Sequence, residues 1–181
     1  MSTYHHGDLR PALLRAAGKV LEKRGIGAIS LRRLARLAGV SHNAPYRHFA
    51  DREALLAAMA ADGFAELEAR LKSTTGREIG EAYVRFALEH PQRFRLMFGG
   101  PIRVERYAEL RAAAGRAYEP LVAAIRAEPG IADAETAAAA AWSLVHGLAH
   151  LLLDGHLAAE ERFIRSVIRA VRFAAASQRS A

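Results

Sequence analysis

Cysteine is absent from this 181-residue chain. That excludes disulfide frameworks, thiolate nucleophiles, Cys-based zinc fingers and iron–sulfur clusters. The chain is long enough to bury a real core without a disulfide, and a reducing cytoplasm suits its composition. Also missing are a phosphate-cradling glycine-rich loop, a nucleophile elbow and a carboxylate pair in a cleft-forming context, so neither an enzyme nor a bound cofactor is expected. Tyr4-His5-His6-Gly7-Asp8-Leu9-Arg10 is polar and mixed, without the apolar core of a secretory signal. The longest apolar stretch, Ala137 to Leu153, is interrupted by Ser143, His146, Gly147 and His150, which are costly in lipid. It is expected to be a buried helix of a cytoplasmic protein with no membrane partner.

Acidic residues are scarce at one end only. Residues 1–52 carry ten basic groups against three acidic ones, Asp8, Glu22 and Asp51, while the remaining 129 residues hold 16 of each sign. A basic end on a neutral body is the footprint of a protein that docks a polyanion through one module. A nonspecific architectural DNA binder would share that end, but it would leave the neutral body without a role.

Apolar residues recur at three- and four-residue steps almost throughout, and no stretch alternates as a half-buried strand does, so the fold is expected to be all-α. Leu9, Leu13, Leu14, Ala17, Val20 and Leu21 form one stripe, with Asp8 as a cap and Gly25 as a stop, predicting a helix over about 9–24. Ser30 can cap a second helix from Leu31 to Ala38, which Gly39 ends. After Val40, Ser41 is expected to cap a short helix running to Phe49. Two short helices about a glycine turn make a helix-turn-helix. Asp51 then caps a longer helix from Arg52 to about Lys72, and further helices are expected near 77–89, 91–98, 103–127, 134–154 and 159–177.

In a helix-turn-helix the second helix enters the major groove while the flanks hold phosphates. His42, Asn43, Ala44 and Arg47 are the candidate base readers, since Asn pairs bidentately with adenine and Ala meets a thymine methyl. Arg32 and Arg33 suit guanine edges or phosphates; Tyr46, His48 and Arg52 suit phosphates. Ser30 and Ser41 complete the set of candidate DNA-binding residues. For any single Arg or His here, a merely solvated position is the competing reading.

Leu31-Arg32-Arg33-Leu34-Ala35, then Ala38-Gly39-Val40-Ser41, Pro45-Tyr46-Arg47-His48-Phe49 and Glu53-Ala54-Leu55 resemble the DNA-binding domain of the TetR family over about residues 8–60. The resemblance implies base-facing or near-base positions for Arg32, His42, Asn43 and Ala44, and phosphate-facing ones for Ser30, Tyr46, His48 and Arg52. Arg52 stands where the family more often has Lys, and Pro45 where many members have Leu. A DNA-binding domain over 1–52, a linking helix over 52–72 and a ligand-binding and dimerisation domain over 73–181 follow from it. So does a homodimer whose last two helices form a four-helix bundle, here 134–154 and 159–177, with Phe163, Ile164, Val167, Ile168, Val171 and Phe173 apolar at helical spacing.

Ala141-Trp142-Ser143-Leu144-Val145-His146-Gly147-Leu148 resembles the Trp-His-Gly signature of one TetR C-terminal subclass. Gly147 within a helix costs up to about 1 kcal/mol relative to Ala, so close packing against another helix is the expected reason for it. Tyr83, Phe86, Phe94, Met97, Phe98, Tyr107, Tyr118, Trp142 and His146 are candidates to line a cavity for a small-molecule effector, with ordinary core packing as the alternative. His146 and His150 have the spacing of a two-histidine metal site, but no third ligand accompanies them, and no metal is expected. The partners implied are double-stranded DNA, an effector and a second copy of the chain, in a regulator that represses by default.

Overall fold

A computed structural model describes residues 9–76 and 78–170. Among them are eight α-helices and no strand: α1 (Leu9–Arg24), α2 (Leu31–Leu37), α3 (Arg52–Lys72), α4 (Glu78–Glu89), α5 (Pro91–Gly99), α6 (Ala108–Arg126), α7 (Ala134–Leu153) and α8 (Glu161–Ala170). Short 3₁₀ turns occupy Ile26–Ala28, Ala44–Arg47 and Val104–Arg106. Tyr4 to Asp8, the cap expected of Asp8, and Val171 and Phe173 lie outside the described residues.

The described residues form two compact units: 1–64 with 90–114, and 65–89 with 115–181. In the first, the α1 stripe packs on α2, on both early 3₁₀ turns and on α5. Leu13, Ala17 and Leu21 are buried, as are Leu34, Leu55, Leu56 and Phe94 from the facing elements. Gly63 of α3 allows a close approach of α5: a Cβ there would stand 2.7 Å from Met97 Sδ and would force that side chain to shift. Phe94, Phe98 and Phe64 stack through ring contacts of 4.8 and 5.2 Å.

The second unit is built on α4, which buries Ile79, Ala82, Tyr83, Val84, Phe86 and Ala87 and packs chiefly on α7. α8 docks on α4 through the buried Ile164 and through crossed ion pairs, Arg85 with Glu161 at 2.7 Å and Glu81 with Arg165 at 3.6 Å. Asp133 caps α7 by accepting the Thr136 N–H at 3.0 Å.

Five sequence expectations are corrected. The helix expected over 41–49 is only the 3₁₀ turn Ala44–Arg47. Pro45 has no N–H to return to the Ser41 carbonyl, so the bonds that form are the shorter ones, Ala44 N–H to Ser41 O at 3.0 Å and Tyr46 N–H to Asn43 O at 3.2 Å. Asn43, not Ser41, precedes this turn, and it makes no side-chain cap. The helix expected over 103–127 is split, a turn at Val104–Arg106 preceding α6. Finally, α7 is the one helix among the described residues long and apolar enough to cross a membrane, yet only 33% of its most apolar window is buried. Trp142 and Leu151 are exposed on it, and a Cβ at Gly147 would meet nothing within 4 Å, so no close helix contact within the described chain requires that glycine.

Candidate DNA interface and effector cavity

Ser30 holds the start of α2, its hydroxyl accepting the Arg33 N–H at 3.3 Å. Leu31, Leu34 and Ala35 face inward, which leaves Arg32 and Arg36 exposed and Arg33 half-buried. Gly39 then takes φ +67°, a left-handed conformation that other residues adopt at a cost, and reverses the chain. Val40 N–H returns to the Ala35 carbonyl at 3.0 Å and fixes the reversal.

Beyond it, Pro45 and Phe49 are buried and anchor the 3₁₀ turn from beneath. Ser41, His42, Asn43, Tyr46, Arg47 and His48 are consequently exposed and Ala44 half-buried. His42, Asn43, Tyr46, Arg47 and His48 therefore stand on the solvent side of one short, anchored segment, while Ser30, Arg32 and Arg33 lie at the start of α2 and Arg52 at the start of α3. Arg10 reinforces the anchor, its guanidinium 5.6 Å from the centre of the Phe49 ring. Arg52 has a structural role besides any DNA contact, with Nε donating to the Ile29 carbonyl at 2.9 Å and Nη2 to the Ile26 carbonyl at 2.7 Å. Asp51 caps α3 by accepting the Ala54 N–H at 2.8 Å.

Glu53, in the first turn of α3, accepts from the Arg103 backbone at 2.9 Å and from its guanidinium at 2.7 Å. Those hydrogen bonds, with the Arg103 and Arg106 charges, hold its carboxyl down at about 2. This latch joins the start of α3 to the loop before α6.

The nine candidate effector-lining residues divide. Phe94, Met97, Phe98 and Tyr107 belong to the first unit, the first two buried in its core. Tyr107 lines a groove of about 280 Å³ with Arg10, His48, Phe49 and Arg106 among others. In the second unit Phe86 is buried beneath the Arg70 guanidinium. The other four meet. Tyr83 Oη lies 2.9 Å from His146 Nδ1 and accepts from Trp142 Nε1 at 3.2 Å, while Tyr118 packs on Trp142 with ring centres 5.5 Å apart. Burial pushes the Tyr83 phenol up and the His146 imidazole down, with His150 as a second cause for the imidazole. Among the described residues no group of three metal-ligating side chains occurs.

None of these nine lines a cavity of about 380 Å³ within the second unit. Its walls are Ile79 and Gly80 of α4, Leu121, Ala124 and Ile125 of α6, Ala141, Leu144 and Val145 of α7 and Ile168 of α8, with Gly76, Glu128, Pro129 and Ile131 also lining it. These lining residues are aliphatic, and by sequence pattern they are indistinguishable from core. The volume falls at the lower end of the range for small-molecule sites, roughly 300–1,000 Å³.

Residues 13–59 match the family described as bacterial regulatory proteins of the tetR family, and residues 77–176 match the tetracyclin repressor-like C-terminal domain. A protein with unknown function from Rhodococcus sp. RHA1 is 35% identical over 94% of both chains, with a TM-score of 0.80. PfmR, a TetR family transcriptional regulator from Thermus thermophilus, shares 24% identity over 87% of this chain and 97% of its own, with a TM-score of 0.59. The multidrug binding protein EbrR, solved with imidazole, shares 23% over 92% of this chain and 97% of its own, with a TM-score of 0.64. No curated protein matches the chain. A helix-turn-helix unit with an outward row of polar side chains, followed by a helical body, thus coincides with matches over both parts of the sequence: the chain belongs to the TetR family of DNA-binding transcription regulators.

Proposed function

We propose that the protein is a cytoplasmic, dimeric repressor that binds a near-palindromic operator and is released from it by a small-molecule effector. The observation that carries the reading is the exposed row Ser41, His42, Asn43, Tyr46, Arg47 and His48, with Ala44 half-buried among them, above the buried Pro45 and Phe49. Asn43 and Arg47 carry groups that pair bidentately with adenine and guanine edges, with His42, Ala44 and Arg32 beside them. Ser30, Arg33, Ser41, Tyr46, His48 and Arg52 hold phosphates and set the register. The domain division proposed is a DNA-binding part over 1–52, a linking α3 and a regulatory part over 73–181.

The homodimer reading is supported by the apolar groups that α7 and α8 leave exposed, Trp142, Leu151 and Phe163, alongside the open space at Gly147. A second copy packed there would cover them as a bundle of four helices. The effector site is the aliphatic cavity of the second unit, whose helices α4 and α7 also carry the Tyr83–Trp142–His146 cluster, in keeping with the Trp-His-Gly subclass. That a similar fold occurs in a multidrug binding protein supports a ligand-responsive body. Release is a population shift: the effector binds best to a state in which the two heads no longer match successive major grooves.

Selection of bound fragments from a random DNA pool at physiological salt tests this. Enrichment of a two-fold-symmetric site is expected. Salt-sensitive binding to every fragment with no enrichment would instead make the protein an architectural binder.

A further inference from the structure

The cavity of the second unit has a chemical bias of its own. Ile79, Ile125, Ile131, Leu144 and Val145 give it branched aliphatic walls, and no aromatic ring stands among its lining residues to stack a planar ligand. One titratable side chain lines it, Glu128, half-buried after the end of α6. Among the described residues no hydrogen bond or ion pair engages the Glu128 carboxylate, and no lysine, arginine or histidine lines the cavity to neutralise it. An anionic group on a ligand would be repelled by Glu128 there. A protonated amine on an aliphatic body would bury the body against the walls and give the carboxylate a charge-assisted hydrogen bond.

We infer that the effector is an aliphatic amine, its ammonium group held by Glu128 and its hydrocarbon part enclosed by α4, α6 and α7. This rests on the reading of the cavity as the effector site. Three probes of matched length separate the class from the site: hexylamine, 1-hexanol and hexanoate, titrated calorimetrically at pH 7 into the full chain. Hexylamine is expected to bind about tenfold more tightly than hexanol, the worth of one charge-assisted hydrogen bond, and hexanoate more weakly than either.

Glu128→Gln should bring the amine and the alcohol to within about twofold of one another, and Ala124→Phe or Leu144→Phe should weaken both by filling the cavity. The second of these variants guards against misfolding of the first. Equal binding of amine and alcohol, weakened by the cavity-filling variants, would overturn the amine class while leaving the site. An amine preference that survives in Glu128→Gln would overturn the role of Glu128. Binding of none of the three would overturn the site and the class together.

Discussion

Glu22 closes the N-terminus of α5: its Oε1 accepts the backbone N–H of Arg93 at 2.9 Å, and its Oε2 that of Gln92 at 3.2 Å. His90, in the usual capping position, makes no side-chain cap, so a carboxylate on α1 supplies it from 70 residues away in sequence. Within this unit the helix that supports the DNA-reading turn is thereby fixed to α5. Glu22→Ala should cost about 1 kcal/mol, a fall of about 2–4 °C in Tm for a chain of this size, with Glu22→Gln retaining part of it. Thermal unfolding of the three proteins checks this.

Glu53 makes stability depend on pH. Its carboxyl is held at about 2 by Arg103, against 4.5 when free, so the unfolded chain takes up the proton first as pH falls. The stabilisation is whole above about 4.5 and is lost as pH drops towards about 2. Urea midpoints of the wild type should fall through this window more steeply than those of Glu53→Gln. Parallel curves would mean that the latch contributes nothing.

Gly39 carries the turn. Its φ of +67° strains any other residue, while a Cβ there would meet nothing within 4 Å, so the cost of Gly39→Ala is conformational alone. A loss of about 1 kcal/mol in denaturant unfolding is expected, together with weaker DNA binding as the segment after the turn shifts.

Tyr83→Phe removes the hydroxyl that meets both His146 and Trp142. About 1 kcal/mol for each hydrogen bond should be lost, and the fluorescence of Trp142, the only tryptophan, should change. Because burial lowers the His146 pKa from 6.5, the folded state disfavours the imidazolium. Its contribution to stability is present above that value and lost as pH falls further, a trend that His146→Gln should flatten in the same titration.

Local features were legible in the sequence because they are written in neighbouring residues. The α1 stripe, the Ser30 and Asp51 caps and the left-handed Gly39 each follow from residues within one or two helical turns. The place of the turn after Gly39 is legible but its geometry is not, because the helical spacing of 41–49 masks the effect of the missing N–H of Pro45. What was not legible is long-range. Nothing near α5 announces that Glu22 caps it. The aliphatic cavity residues share the pattern of any buried helix face, and only their convergence from four helices and the 128–131 loop separates lining from core. The sequence context of Gly147 suggests a packing glycine, yet its surroundings within the described chain are open.

The central claim is that the exposed segment from Ser41 to His48 reads DNA sequence. Affinities of Asn43→Ala and Arg47→Ala for the selected site and for a scrambled duplex, at one salt concentration, test it most directly. A loss of about 1–3 kcal/mol on the selected site with little change on the scrambled one is predicted. Unchanged affinity for the selected site in both variants would contradict the account.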